Sequence, residues 1–264
     1  MKNFIIIFFI YLFSLSCFNI VNAKTYRIGT TFENEIQFSK KIVLPLSNGK
    51  WEVVDRYTWS YAFLRFKGNW IARIENNEIM EMITIERANL AGAYMGEIDS
   101  IVNEIIFKDK YDGCYERPEY YKLGLYKKGS AHNCLVIEHF EVKKDIYFPE
   151  DPEATFAQLK KWLRGTNYTL PPIMLGSSHS YFSRLTGGNL YRIGYAIDPL
   201  LLGAPESEFK TEETSEYHKY NINKHLEHKK IMDEFVKLSF QRHQEFEKII
   251  KARGFQRLKF EDLK

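Results

Sequence analysis

Five side chains with chemistry to offer stand within one short stretch: Ser177, Ser178, His179, Tyr181 and Arg184. Together they supply hydroxyls, an imidazole, a phenol and a permanent cation, the groups that orient a polar ligand at the rim of a scaffold. Ser178, His179, Tyr181 and Arg184 are therefore the candidate binding residues. An activated serine needs more: a base within reach, an acid that orients the base, and usually a sharp Gly-x-Ser-x-Gly elbow. Neither the elbow nor a nearby acid accompanies His179, so no catalytic residue is assigned. The same stretch also reads as a polar turn whose side chains satisfy backbone groups.

Other groupings are weaker. Cys114, His132, Cys134 and His139 could contribute to a zinc site, but His132-Asn133-Cys134 lacks the usual ligand gap and no Cys-x-x-Cys pair exists. Glu138 and His139 are adjacent in an alternating run, which sends their side chains to opposite faces. His218, His225, His228 and His243 fall in a lysine-rich helical region and read as solvated, with no third ligand for the His225–His228 pair. Neither a Gly-x-x-x-x-Gly-Lys loop nor Gly-x-Gly-x-x-Gly is present. No metal or cofactor is expected.

The elements that would position these groups follow from periodicity. Ile42 to Leu46 and Trp51 to Tyr57 flank Ser47-Asn48-Gly49-Lys50, a strong hairpin signal. Thr58 to Phe66 is apolar on both faces, with Trp59, Tyr61 and Phe63 on one and Ala62, Leu64 and Phe66 on the other, as in a central strand. Turns at Lys67-Gly68-Asn69 and Asn76-Asn77 lead into Trp70 to Glu75 and Glu78 to Arg87, where Ile79, Ile83 and Ile85 share a face. Ile101 to Phe107, Tyr120 to Tyr126 and Cys134 to Phe148 read as further strands. Rings at Trp51, Trp59, Tyr61 and Trp70 are read as core.

Asp151-Pro152 opens a helix that runs to Arg164. Ile173 to Leu175 is a short apolar run, and Tyr181 to Leu185 pairs with Leu190 to Ile197 around Thr186-Gly187-Gly188-Asn189. A long helix covers about Leu226 to Arg253, its stripe drawn by Met232, Phe235, Val236, Phe246, Ile249 and Ile250. The predicted fold is α+β: an N-terminal curved antiparallel meander, barrel-like if it closes, packed by C-terminal helices and a β-hairpin. Residues 24–264 are taken as one domain, mainly β over 24–148 and mixed helix and hairpin over 149–264.

The chain begins with Lys2, an apolar run from Phe4 to Phe13 and a Val21-Asn22-Ala23 ending, the three parts of a cleavable secretory signal over residues 1–23. A retained anchor fits less well, because Ser14, Ser16 and Asn19 interrupt the run. Lipid attachment at Cys17 would need Leu where Ser14 stands. No transmembrane segment is expected after cleavage. The full chain carries 27% charged and 16% aromatic residues and a net charge of +3. That composition describes a folded chain with no electrostatic pull toward nucleic acid.

Cys114 and Cys134 are expected to form a disulfide in an oxidising compartment, periplasmic or extracellular. The expected function is an exported soluble protein that binds a small molecule or an envelope component. The alternative is a hydrolase-like enzyme centred on His179 with Ser177 or Ser178 and a distant acid. Intact mass of the exported product should place its first residue at Lys24, and thiol titration of the denatured, unreduced protein should find neither Cys114 nor Cys134 reactive.

Overall fold

The structure is a computed structural model that describes residues 26–37, 42–61, 64–89, 131–142, 163, 165–183, 189–208, 211–251 and 256–257. Six long strands dominate it: β4 (Trp51–Tyr61), β5 (Leu64–Glu75), β6 (Glu78–Asn89), β7 (Ala131–Glu141), β8 (Ile173–Ser183) and β9 (Asn189–Ile197). With the short β1 (Thr31–Phe32) they form one antiparallel sheet in the order β1-β4-β5-β6-β9-β8-β7. Two three-strand meanders thus meet edge to edge, where β6 pairs with β9 from Glu81↔Ile197 to Asn89↔Asn189. A second, three-stranded sheet is built from β2 (Glu35–Gln37), β3 (Ile42–Pro45) and β10 (Gln256–Arg257).

The helix α1 (Leu226–Lys251) packs on one face of the large sheet. Ile231, Met232 and Phe235 join Leu135, Ile137, Ile173 and Leu175 in one buried cluster, and Phe246 joins Ile83, Ile85 and Ile193 in another. The opposite face is covered near one end by Val142, Leu163, Tyr168 and Leu170. This is an α+β architecture, as the alternating runs and the C-terminal stripe predict. The sheet is open, with β1 and β7 at its edges, so the barrel-like closure is corrected.

Several local expectations hold. Asn76 and Asn77 both adopt positive φ, the conformation that a tight two-residue hairpin demands, and Glu75 pairs with Glu78 across them. Leu190 to Ile197 is β9, the second arm of the predicted hairpin, and α1 matches the predicted long helix closely. Cys114, the strands expected at Ile101 to Phe107 and Tyr120 to Tyr126, nearly all of the helix expected from Pro152 to Arg164, Arg184, and residues 1–23 with their expected secretory signal lie outside the described residues.

Other expectations are overturned, each for a traceable reason. The Asn48-Gly49 turn does not join a hairpin. The edge of β4 is taken by the N-terminal segment, where Thr31 pairs with Glu52 and Val53 N donates to Thr30 O, while β3 pairs with β2. Thr58 to Phe66 is a hairpin and not one strand, since Tyr61 pairs with Leu64 and Trp59 with Phe66. Its apolar residues on both faces reflect a reversal of the chain. Lys67-Gly68-Asn69 is no turn but the middle of β5.

The glycine there has a steric cause. A Cβ at position 68 would fall 2.4 Å from Tyr57 Cζ, so the phenol ring lies across bare backbone. Tyr57 cannot move aside freely, because its hydroxyl donates to Glu86 Oε1 at 2.6 Å. Gly68→Ala is therefore expected to destabilise the fold by about 1–3 kcal/mol. In a double-mutant cycle measured by urea unfolding, Tyr57→Leu should remove most of that loss, because the clashing ring is gone.

Candidate functional site

The stretch Gly176 to Ser180, which reads as a polar turn, is the middle of β8. Its backbone is fully employed by ladders on both sides: Ser178 pairs with Val136 on β7 and with Gly194 on β9. Alternation then sorts the side chains between faces. Ser177, His179 and Tyr181 point toward α1, and Ser178 and Ser180 point the other way. The four candidate binding residues are accordingly split: His179 and Tyr181 on the helix side, Ser178 on the other, Arg184 outside the described residues.

On the helix side the polar groups form a sealed layer. His179 is 1% exposed, Ser177 3% and His243 of α1 1%. Ser177 Oγ lies 3.1 Å from His179 Nε2, and His179 Nδ1 lies 3.3 Å from His243 Nδ1. Tyr195 of β9 packs edge-on against His179, and the half-buried Arg242 guanidinium sits 4.8 Å above the Tyr195 ring. Burial holds both imidazoles in the neutral form, His179 well below its ordinary pKa and His243 down to about 4. Burial also keeps the Tyr195 phenol protonated. Among the described residues no carboxylate hydrogen-bonds His179, whose partners are Ser177 and His243. Nucleophilic attack on a substrate by Ser177 would require an opening that this layer does not have.

The histidines of the C-terminal region are a correction. His218, His228 and His243 are buried and not solvated. The reason is that α1 meets the sheet with His228, Ser239 and His243 as well as with its apolar residues, and those positions share one stripe. His139 is also buried. Its Nε2–H donates to the Glu212 carbonyl at 3.1 Å, which leaves Nδ1 unprotonated, and burial lowers its pKa. Among the described residues no three His, Cys, Asp or Glu groups converge to hold a metal. Cys134 and His139, five positions apart on β7, face opposite sides of the sheet, so a zinc site cannot use both.

The other face carries a half-buried belt. Trp70, Thr84, Glu86, Ser178, Arg192 and Gly194 are adjacent on β5, β6, β9 and β8, through the pairs Trp70↔Thr84, Thr84↔Gly194, Gly194↔Ser178 and Glu86↔Arg192. The row on one side of them, Phe66, Ala88 and Leu190, is buried, and so is the row on the other, Ala72, Met82 and Ala196. What remains is a polar strip of partial exposure between two apolar banks. At its centre Thr84 folds over Gly194 and accepts from the Gly194 N–H at 3.0 Å, while Gly68 lies under the Tyr57 ring and Gly176 against Phe140.

Charge is concentrated at one end of the strip. Glu86 accepts from Tyr57 and lies 3.5 Å from the Arg192 guanidinium. Burial first, and then the Glu86 carboxylate, push the Tyr57 phenol well above its usual pKa, so its proton stays on the shared hydrogen bond. A rigid phenol, a carboxylate, a cation and an indole thus stand around a floor of glycine, serine and threonine. Of this set only Ser178 was among the candidates from sequence. Ile83 and Ile85 face α1 while Thr84 and Glu86 face the other way, but Ile79, expected beside Ile83 and Ile85, packs with Ala72 and Met82 on the opposite face because the ladder shifts register between Arg73↔Glu81 and Ile74↔Ile79, and nothing local indicated that Arg192 would pair with Glu86.

No family model, curated protein or solved structure matches this chain. Among the described residues no helix is long and apolar enough to cross a membrane.

The two serines give a direct check on this geometry. Ser177→Ala leaves a buried imidazole nitrogen without a partner and should cost about 1–3 kcal/mol. Ser178→Ala, on the half-exposed strip, should change stability by no more than about 0.5 kcal/mol. Urea midpoints of the two variants decide it, and equal effects would mean that the faces are assigned wrongly.

Proposed function

We propose that the protein binds a small polar ligand on the belt of the sheet face away from α1, as an exported soluble binding or envelope-associated protein. The observation that supports this is the partly exposed strip of Trp70, Thr84, Glu86, Ser178, Arg192 and Gly194 between two buried rows. Ligand sites combine apolar walls with a few fixed polar groups, and a sheet holds such groups more rigidly than a loop. The leader, the cysteine pair and the near-neutral charge support the exported setting.

The hydrolase reading draws less support. Its imidazole does meet a serine, but that serine is Ser177, both groups are sealed beneath α1, and among the described residues no acid orients the ring. The charges at the belt serve recognition more readily. The carboxylate of Glu86 and the guanidinium of Arg192 suit a ligand that carries both a donor and an anionic group.

Thermal denaturation against a library of small charged metabolites tests the proposal, since binding to the native state raises the midpoint. The expected hits raise it in the wild type and lose at least tenfold in affinity in Arg192→Ala and in Ser178→Leu, which removes the cation or fills the floor. Hits indifferent to both substitutions would place binding elsewhere. Hydrolytic turnover that Ser177→Ala abolishes would favour the enzyme instead.

A further inference from the structure

We propose that the second half of α1, from about Ser239 to Glu247, is an acid-released clamp held on the sheet by the contact between His179 and His243. Ser177 Oγ, His179 Nε2, His179 Nδ1 and His243 Nδ1 lie in line at 3.1 and 3.3 Å, which limits the protons they can share. With both rings neutral, one Nδ1 donates and the other accepts, and the serine hydroxyl donates or accepts as the tautomer requires. One added proton still fits. His243 Nδ1–H then donates to His179 Nδ1, and His179 Nε2–H donates to Ser177. A second added proton does not fit, because two N–H groups would face each other across the 3.3 Å gap and two cations would share a dry layer.

The surroundings oppose charging from nearly every side. From α1 itself Arg242 adds a cation near His179, while Glu247 is the one acid that favours a proton on His243. From β9 come Tyr195 and Tyr191, and from β8 Tyr181, all buried phenols. β7 presents Leu135 and Ile137. Glu81 of β6 acts on Arg242 and Tyr195, and it is already held by Arg73 and Ser47. Among the described residues Glu247 alone favours a proton on either imidazole, and it acts on His243 and not on His179, beside which Arg242 stands.

The two halves of the helix differ in consequence. Ile231, Met232 and Phe235 dock the first half through apolar contacts that carry no proton dependence. The second half adds to Phe246 and the partly buried Phe240 two polar contacts, the imidazole pair and the Arg242 guanidinium over Tyr195, and of these only the imidazole pair titrates between pH 7 and pH 4. Burial lowers the proton affinity of both docked histidines, and undocking restores it, so acid favours the open form. The docked form has its full advantage above about pH 6.5, the ordinary histidine value, and loses it progressively as the pH falls from there toward about 4. Release would uncover part of the apolar stripe of α1 and of the sheet beneath it.

Amide hydrogen exchange on the full chain at pH 7.5 and pH 5.0, corrected for intrinsic rates, reads the clamp directly. Each histidine that regains its ordinary pKa on opening favours the open form by about thirtyfold at pH 5. Protection of the Ser239 to Glu247 amides should therefore fall a hundredfold or more, while the first half of α1 and β6 keep theirs. His243→Gln retains a hydrogen-bonding partner and should reduce the loss to about thirtyfold. Unchanged protection in the wild type, a uniform loss across all elements, or the wild-type loss persisting in His243→Gln would each overturn the proposal. Should that variant not fold, imidazole carbon shifts of the wild type settle it: a native His243 titrating near its ordinary value overturns the clamp.

Discussion

A strand that carries a serine and a histidine into the centre of a sheet can be covered only by an element that answers them. Buried polar groups left without partners cost more than the bonds themselves contribute. On β8, Ser177 and His179 interrupt an otherwise apolar face, and on α1 His243 interrupts the apolar stripe and answers them, while the buried Ser239 Oγ has no hydrogen-bond partner among the described residues. The two interruptions meet at the same height, and the Nδ1 to Nδ1 contact joins them. Sliding α1 by one turn would take His243 away from His179 Nδ1 and bring Ser239 or Glu247 to its height instead. The polar layer thus contributes position, while the hydrophobic clusters on either side of it contribute most of the stability.

Much of the architecture was legible because strand and helix periods leave clear marks. The Asn76-Asn77 turn and the stripe of α1 are local properties that survive folding, while the alternation of β6 holds from Glu81 to Ala88 and is broken by a register shift before it, which moves Ile79 to the other face. The failures lie where pairing partners were chosen at long range. Asn48-Gly49 is a sound hairpin signal, yet the edge it would have used belongs to β1. Gly176 to Ser180 has turn composition, and only the presence of β7 and β9 on both sides makes it a strand. The site was half legible for the same reason. His179 and Tyr181 were found, but their separation from Ser178 is a matter of parity along β8 and was hidden while the stretch read as a turn. The break in the helix stripe between Val236 and Phe246 was visible, and it marks the polar layer in hindsight.

The two faces of the sheet divide the labour between holding and contacting. On the helix side the rows through Ser177 and His179 are closed over β8, β9 and β6, down to the ring of Tyr195. On the other side Trp70, Thr84, Glu86, Ser178, Arg192 and Gly194 keep partial exposure, and the glycines of three strands let the side chains of Tyr57, Thr84 and Phe140 lie close over bare backbone. A single alternating strand can serve both purposes only when its odd and even positions are under different constraints. β8 is such a strand, with Ser177 and His179 committed to the interior and Ser178 available at the surface.

The seam between β6 and β9 joins residues roughly a hundred positions apart in the chain. Each meander can zip from its own turns, but neither has both of its edges settled until that seam closes, and closing a long loop is entropically slow. A nascent chain that has emerged only as far as Asn89 therefore holds half a sheet with a raw border and no helix to seal it. Both borders of the seam, on β6 and on β9, are paired only once the chain is available as far as Ile197.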